Sequence, residues 1–121
     1  MKKILVVDDE ISIAEILKVR LEANGYAVDI AVDGMEALKK IREEKPDLVV
    51  LDLMLPKIDG YKIVGMMKHD RNLKEIPVII FTARTQDSDV NLGLEMGAVA
   101  YIPKPFDPQL LLSTIKQHIK E

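Results

Sequence analysis

Three aspartates stand directly after two runs of apolar residues in this sequence. Asp8 and Asp9 follow residues 4–7, and Asp52 follows residues 48–51. If both runs are parallel strands of one sheet, their carboxyl ends meet at the same edge, and the carboxylates lie together there. A compact acidic pocket of this kind binds hard divalent cations. The arrangement therefore predicts chemistry on phosphate groups.

Each of these acids also has an ordinary structural explanation. An aspartate at the end of a strand is most often a turn residue or a helix cap. Two carboxylates roughly 5 Å apart, however, repel each other by about 3 kcal/mol at an effective dielectric constant of about 20. Because the fold gains nothing from this repulsion, we expect a cation or a lysine to compensate it.

The elements that would position these acids alternate between strands and helices. Short apolar runs recur, and each is followed by a stretch whose apolar residues repeat at helical spacing. This alternation predicts an α/β fold with five βα units and a mostly parallel sheet covered by helices on both faces. The predicted strands are residues 3–7, 26–31, 48–51, 78–81 and 99–102.

Glycine, proline and capping acids mark the ends of the five predicted helices. The first helix ends at Asn24-Gly25, the second begins near Asp33-Gly34, the third follows Asp59-Gly60, the fourth covers residues 87–96, and the fifth opens with Asp107-Pro108. Gly93 lies inside the fourth helix, which we therefore expect to be the least stable. The predicted inward-facing residues are Ile13, Ile16, Leu17, Leu21, Leu38, Ile41, Ile63, Met67, Leu111, Ile115 and Ile119.

The composition limits the class of protein. The chain has 121 residues, of which 48% are hydrophobic and 31% charged, as is usual for globular domains. No apolar stretch approaches the roughly 20 residues that cross a bilayer, and the acidic run after residue 7 interrupts any signal-peptide core. We therefore expect one module over residues 1–121, located in the cytoplasm without membrane contact.

Charge and metal-binding residue types narrow the function further. The formal net charge is −3 and the basic residues are spread along the chain, which argues against a nucleic-acid-binding surface. Without cysteine, neither disulfides nor thiolate metal sites are possible. The two histidines, His69 and His118, are too far apart in the sequence to favour a zinc site. The acidic edge remains the strongest sign of function.

Two further residue types follow the last two strands at the same edge. Thr82-Ala83 comes after the fourth predicted strand, and Lys104-Pro105 comes after the fifth. In an open parallel sheet, ligands bind beyond the carboxyl ends of the strands. We therefore expect a hydroxyl and a lysine to join the acids, and the point charge of a lysine suits a phosphoryl oxygen.

The order and spacing of these residues resemble the receiver domain of two-component response regulators. The resemblance covers essentially the whole chain and rests on Asp8-Asp9, Asp52 with Pro56 and Asp59-Gly60, Thr82-Ala83, and Lys104-Pro105-Phe106. It implies a doubly wound, flavodoxin-like (βα)5 fold with strand order 2-1-3-4-5 and a cis Lys104–Pro105 bond. It also implies a signalling switch that catalyses its own phosphorylation and dephosphorylation, not an enzyme acting on a separate substrate.

The resemblance also assigns roles within the site. The implied residues are the phosphoacceptor Asp52; the Mg²⁺ ligands Asp8, Asp9, Asp52 and the backbone carbonyl of Met54; the switch residues Thr82 and Tyr101; the phosphoryl-pairing Lys104; and the pocket neighbours Ala83 and Pro105. Met54 and Arg84 occupy positions that tune the lifetime of the phosphate in this family. Tyr101 also fits an ordinary half-buried strand aromatic.

The implied partners follow from the same resemblance. A histidine kinase or a histidine phosphotransfer protein would donate the phosphoryl group. A downstream protein, or an effector domain of a longer regulator, would contact the face of the fourth helix, fifth strand and fifth helix. This domain is not expected to contact nucleic acid directly. The sequence leaves open whether the receiver is free-standing or part of a longer chain.

One subfamily resemblance is incomplete. The fourth helix resembles receivers of the winged-helix transcription factors, but Val99-Ala100 and Ser113-Thr114 replace the charged residues usual there. The resemblance therefore does not extend to the ion-paired dimer of that subfamily. Leu110 and Leu112, beside the core-facing Leu111 on the last helix, either form an apolar spot that a partner covers or pack locally.

Other functional classes fit the sequence less well. A haloacid-dehalogenase-type phosphatase needs a second aspartate two residues after the first, where this chain has Met54. A flavodoxin-like electron carrier needs a phosphate loop rich in glycine and hydroxyls after the first strand, where Asp8-Asp9-Glu10 would repel the phosphate. A receiver-like interaction module that is never phosphorylated stays open at this point.

Overall fold

A parallel five-stranded sheet with the order β2-β1-β3-β4-β5 forms the centre of the computed structural model. Residues 1–83 and 86–119 are described, so Arg84 lies outside the described residues. The elements are β1 (Lys3–Val7), α1 (Ile11–Ala23), β2 (Ala27–Ala31), α2 (Gly34–Glu44), β3 (Leu48–Leu51), α3 (Gly60–Lys68), β4 (Val78–Thr82), α4 (Asp87–Glu95), β5 (Ala100–Pro103) and α5 (Pro108–His118). The predicted (βα)5 fold and strand order are confirmed.

The register of the sheet brings the carboxyl ends of β1 and β3 together. Val7, the last residue of β1, pairs with Ala31 on one side and with Leu51 on the other. The next residues continue this contact, because the Asp8 amide donates to the Ala31 carbonyl and the Asp52 amide donates to the Val7 carbonyl, both at 3.0 Å. Asp8 and Asp52 therefore leave the sheet side by side.

The predicted strand boundaries differ from the observed ones by one residue. Strand β2 starts after Tyr26, because the Tyr26 amide donates to the Leu21 carbonyl at 3.3 Å and so closes the end of α1. Strand β4 extends to Thr82, which pairs with Pro103 of β5. These shifts change no assignment of a strand to the sheet.

Two layers of apolar side chains cover the sheet. One cluster joins α1 and α5 to one face, and a second joins α2 and α3 to the other. Of the predicted inward-facing residues, Ile16 is wrong, since its side chain is 54% exposed. Ala14, Leu17 and Leu21 set the buried stripe of α1, and Ile16 precedes Leu17 by one residue, which rotates it about 100° toward solvent.

Aspartates cap three of the helices at their amino ends. Asp33 accepts a hydrogen bond from the Glu36 amide, and Asp59 accepts one from the Lys62 amide. Asp107 accepts hydrogen bonds from the Gln109 and Leu110 amides at 2.9 and 3.4 Å. Each cap satisfies amides that the first turn of a helix leaves unpaired.

None of the described helices is long and apolar enough to cross a membrane.

Helix α4 approaches the sheet through a glycine. Gly93 is its one buried residue, and a Cβ there would lie 2.7 Å from Cδ1 of Ile80. The first turn of α4 also contacts α3, because the Tyr61 hydroxyl donates to the Asp89 carbonyl at 3.3 Å. With no large side chain of its own in the core, α4 contributes little apolar burial. Its low stability stays a prediction.

The substitution Asp107→Ala is expected to lower the free energy of unfolding by about 1 kcal/mol, because it removes the cap of α5. The matched control is Asp107→Asn, which keeps a capping oxygen and is expected to stay close to wild type. Urea unfolding followed by circular dichroism measures both. An Asp107→Ala protein as stable as wild type would show that the cap contributes nothing.

Candidate functional site at the carboxyl edge of the sheet

Carboxylates converge where β1 and β3 end. Oxygens of Asp8, Glu10 and Asp52 lie within 4.8 Å of one another. Asp8 is fully buried and Asp52 is 4% exposed, whereas Glu10 stands at the surface. The structure thus brings together Asp8 and Asp52, as predicted from the strand ends. Two buried carboxylates in contact need a positive partner.

Lys104 supplies that positive charge. Its Nζ lies 2.7 Å from Oδ2 of Asp8, 2.9 Å from Oδ2 of Asp52 and 3.2 Å from Oε1 of Glu10. Three carboxylates therefore face one ammonium among the described residues. The cluster keeps an excess of negative charge, and that excess favours a further cation.

The backbone and an aromatic ring hold Lys104 in this position. Its amide donates to the carbonyl of Thr82 at 3.0 Å, which continues the pairing of β4 with β5. Its Nζ lies 5.3 Å from the centre of the Phe81 ring, within the range of a cation–π contact. Phe81 in turn packs edge to face against Phe106, with 5.6 Å between the ring centres. The sheet therefore directs the ammonium at the acids.

Burial shifts the pKa values of two of these groups. Burial raises the pKa of Asp8 above 3.8, and its contact with Lys104 and the hydrogen bond from the Glu10 amide offset only part of this effect. For Lys104, burial alone would lower the pKa, but the close contacts with the charged carboxylates of Asp8 and Asp52 outweigh it and raise the pKa above 10.5. Lys104 is therefore charged at neutral pH.

One oxygen of Asp8 is poorly satisfied. Oδ1 accepts a hydrogen bond from the Glu10 amide at 2.9 Å. Oδ2 is buried and forms its ion contact with Lys104 at 2.7 Å, but no donor among the described residues gives it a well-aligned hydrogen bond. An oxygen whose close polar partner among the described residues is an ammonium can also serve as a metal ligand.

The pocket above Asp52 is small and open to solvent. It has a volume of about 260 Å³ and is lined by Asp9, Glu10, Asp52, Met54, Ala83 and Lys104. Oδ1 of Asp52 accepts a hydrogen bond from the Met54 amide at 3.2 Å, which fixes the rotation of the carboxylate. The Met54 side chain is 58% exposed and Ala83 is exposed, so small ligands reach the acids.

Size alone would have identified a different place. A hollow of about 800 Å³ lies at the opposite edge of the sheet, where it is lined by Met1, Lys2, Asn24, Gly25, Tyr26, Asp47 and Lys116. Among the described residues that line it, the one carboxylate is that of Asp47, which accepts a hydrogen bond from the Lys3 amide at 2.7 Å. The charge cluster, not the volume, therefore marks the candidate site.

Glu10 is the site residue that the sequence analysis did not single out. Asp9 is exposed and lines the pocket, but the acid cluster itself contains Glu10 in its place. The signal in the sequence was the run of three acidic residues after β1. Which of the three join the acid cluster depends on the path of the turn that follows this strand. Because the Glu10 amide bonds back to Asp8, the chain reverses and carries the Glu10 side chain over the site.

The remaining predicted residues lie around this centre. Thr82 is fully buried at the end of β4. Tyr101 is half-buried on β5, where its ring lies 3.3 Å from the position that a Cβ on Gly93 would occupy. The Lys104–Pro105 bond is cis, in agreement with the resemblance. The hydroxyl is therefore on the strand beside β3, and the aromatic ring is on the edge strand β5, one strand further from the acids.

The donor set suits a hard cation. Carboxylate and carbonyl oxygens are the ligands of Mg²⁺ and Ca²⁺, whereas softer metals prefer nitrogen and sulfur. The fit is supported by the poorly satisfied Asp8 oxygen and by the excess of negative charge around Lys104. Chemically, such a cluster can bring an anionic group close to Asp52 by compensating its charge.

The substitution Asp8→Asn is expected to raise the free energy of unfolding by about 1 kcal/mol in the presence of EDTA, because it removes one buried, repelling charge. The control Asp9→Asn removes an exposed charge outside the cluster and is expected to have a smaller effect. Chemical denaturation of the three proteins measures the difference. Loss of stability in Asp8→Asn would show that the carboxylate stabilises the metal-free fold.

The same raised pKa predicts a pH dependence. As the pH rises, the Asp8 carboxyl loses its proton near pH 3.8 in the unfolded chain and at a higher pH in the folded protein. Between these two pKa values the folded state binds more protons, so a rise in pH lowers the stability. We therefore expect the stability advantage of Asp8→Asn to grow as the pH rises from 3.8. Denaturation in EDTA over a pH series tests this, and an advantage that shrinks with pH would contradict it.

Comparison with curated proteins gives clear relatives. The chain is 48% identical over 115 residues to the alkaline phosphatase synthesis transcriptional regulatory protein PhoP of Bacillus subtilis (strain 168), covering 95% of this chain and 47% of PhoP. It is 41% identical over 119 residues to the DNA-binding response regulator MtrA of Mycobacterium tuberculosis (strain ATCC 25618 / H37Rv), covering 98% and 51%. The chain spans about half the length of these relatives.

Solved structures agree with this result. The chemotaxis protein CheY4 of Vibrio cholerae superposes with a TM-score of 0.91 at 33% identity, over 98% of this chain and 99% of that chain. The BeF3-activated DrrB receiver domain superposes with a TM-score of 0.88 at 39% identity, over 98% and 97%. Residues 4–116 match the family described as the response regulator receiver domain. With this match and these relatives, the chain belongs to the family of response regulator receiver domains.

Proposed function

We propose that this chain is the phosphoacceptor of a two-component phosphorelay, in which Asp52 receives a phosphoryl group from a histidine kinase or a histidine phosphotransfer protein. The observation that carries the proposal is the buried Asp52 carboxylate, 2.9 Å from Lys104 and within 4.8 Å of Asp8 and Glu10. Family membership makes signalling by phosphorylation the function to test first.

Magnesium is the cofactor that we propose for the site. Its protein ligands would be Asp8, Asp9, Asp52 and the backbone carbonyl of Met54, with Glu10 close enough to add charge. When bound, Mg²⁺ would offset the repulsion between the Asp52 carboxylate and the oxygens of the incoming phosphoryl group. Mg²⁺ retains several waters when it binds proteins, which suits a pocket open to solvent.

The proposed transfer is a displacement at phosphorus. A carboxylate oxygen of Asp52 forms the new P–O bond while the P–N bond to the donor histidine breaks, and the electron pair of that bond leaves with the imidazole. The Met54 amide holds the carboxylate in one orientation through its hydrogen bond to Oδ1. Lys104 stabilises charge on the transferred group without exchanging a proton. Hydrolysis follows when water reaches the acyl phosphate.

The proposed output is a change in the face formed by α4, β5 and α5. Once phosphorylated, Asp52 carries about two negative charges, and the Thr82 hydroxyl would move to donate a hydrogen bond to them. Tyr101 would then turn toward the space behind Thr82. Thr82 ends β4, which adjoins β3, and Tyr101 lies on β5, which adjoins β4. Gly93 of α4 packs close to the Tyr101 ring. This is a shift between two populated states.

Several apolar side chains of these elements are partly exposed. Leu92 and Leu94 of α4, Val99 before β5 and Leu110 of α5 are between 37% and 47% exposed. PhoP and MtrA are described as transcriptional or DNA-binding regulators. We therefore propose a cytoplasmic signalling role in which the partner is an effector domain or a downstream protein, with no direct contact of this domain with nucleic acid.

The substitution Asp52→Asn is expected to abolish labelling by acetyl phosphate or by a partner kinase, because an amide oxygen is a far weaker nucleophile. Asp70→Asn is the control, since Asp70 caps a surface turn at the Asn72 amide away from the site. Mass spectrometry and radiolabel from the donor measure the phosphate. Stoichiometric labelling of Asp52→Asn would refute Asp52 as the acceptor.

Addition of Mg²⁺ and beryllofluoride is expected to shift NMR amide signals at the ends of β1, β3 and β4 and along α4 and β5. Beryllofluoride imitates a phosphoryl group on a carboxylate, and the related DrrB structure is described as BeF3-activated. The same additions to Asp52→Asn serve as the control. Wild-type spectra that stay unchanged would point instead to an interaction module that is never phosphorylated.

A further inference from the structure

The loop between β3 and α3, residues 52–59, closes on itself through backbone hydrogen bonds. The Leu53 carbonyl accepts from the Leu55 amide at 3.1 Å and from the Gly60 amide at 3.0 Å, which returns the loop to its starting point. The Pro56 carbonyl accepts from the Ile58 amide at 2.9 Å. This loop carries both the proposed phosphoacceptor and Met54, so its shape determines the geometry of the pocket.

The tip of this loop is strained. Lys57 has φ +72°, in the region that favours glycine. The Ile58 amide donates to the Pro56 carbonyl across Lys57, so these three residues form a γ-turn. With a positive φ at its centre, this γ-turn is of the rare type. Such a conformation persists only where the surrounding structure imposes it, and it occurs most often near functional sites. The contacts that impose it here are therefore of interest.

The amino end of α2 makes those contacts. The Gly34 amide donates to the Pro56 carbonyl at 3.2 Å. A Cβ on Gly34 would lie 2.2 Å from the carbonyl oxygen and 2.6 Å from Cβ of Ile58, so only glycine allows the two backbones to approach this closely. Ile58 also packs against the core cluster beneath α2 and α3. The loop is thus held between α2 and the core.

An ion pair joins the same two elements. Oδ2 of Asp33 lies 3.4 Å from Nζ of Lys57, while Oδ1 of Asp33 caps α2 at the Glu36 amide at 2.8 Å. The Lys57 side chain is 58% exposed, so this pair is weak compared with the backbone contact at Gly34. The contact at Gly34 is the stronger of the two restraints.

We propose that Asp33 and Gly34, at the start of α2, are positioning residues that hold the loop in the shape needed for Mg²⁺ binding beside Asp52. This inference rests on the proposed function and extends it to a helix that does not touch the pocket centre. The mechanism is preorganisation: a loop already in the binding shape does not lose ordering entropy when the metal binds. Residues behind metal ligands commonly act in this way.

The first test is Gly34→Ala. The added methyl group must push the Ile58 backbone away, so we expect the Mg²⁺ dissociation constant to rise about tenfold. The matched control is Gly65→Ala on α3, where a Cβ would meet only the flexible end of Met96 at 3.3 Å. We expect that variant to bind Mg²⁺ as wild type does. NMR titration with MgCl₂ measures binding, and denaturation of the metal-free proteins measures stability.

A second variant avoids any steric change. Combining Asp33→Asn with Lys57→Gln keeps the cap on α2, leaves the net charge beside the pocket unchanged and removes only the ion pair. We expect Mg²⁺ binding about two- to threefold weaker, in line with a surface pair. Hydrogen exchange of the Ile58 amide in EDTA should become faster in this variant. If Gly34→Ala does not fold, this variant decides the question.

The outcomes separate the two proposals. The positioning role would be overturned if wild type binds Mg²⁺ and both folded Gly34→Ala and the paired variant bind it equally well, even if both variants lose stability. Unchanged Ile58 exchange together with unchanged affinity in the paired variant would do the same. Wild type that fails to bind Mg²⁺ would contradict the proposed function itself, and the positioning role with it.

Discussion

The central constraint in this structure is the close approach of like charges at the carboxyl edge of the sheet. Asp8 and Asp52 are buried side by side because β1 and β3 are adjacent and end in register. The repulsion is tolerated because Lys104 reaches both carboxylates from the end of β5. One ammonium does not neutralise the whole cluster, so the site remains ready to take up a cation and an anionic group together.

The architecture around the cluster explains how a small domain maintains such a site. The runs in β1, β3 and β4 are buried on both faces and provide a rigid base. Asp8 and Asp52 come directly after β1 and β3, where hydrogen bonds to the neighbouring strands still hold the backbone. The charge cluster is thus placed by the most stable part of the fold.

The elements around the pocket differ in how firmly they are held. Gly34 fixes the loop after β3 through a backbone contact that leaves no room for a side chain. Helix α4, in contrast, buries only Gly93 and contacts α3 through the Tyr61 hydroxyl. In the proposed function, the firmly held loop would fix the geometry of the chemistry beside Asp52, and α4, with its small apolar burial next to Tyr101, would be the element that changes position.

The residue pattern alone predicted the five strands from their apolar runs, and it placed Asp8, Asp52 and Lys104 at one edge, because parallel strands share a direction. The strand order was implied by the family resemblance. Tertiary structure decided the rest. The turn after β1 brought Glu10 over the acids, and the packing of Ala14 turned Ile16 toward solvent. These details depend on contacts between residues distant in the chain or on the path of a turn, which local patterns of residue type do not encode.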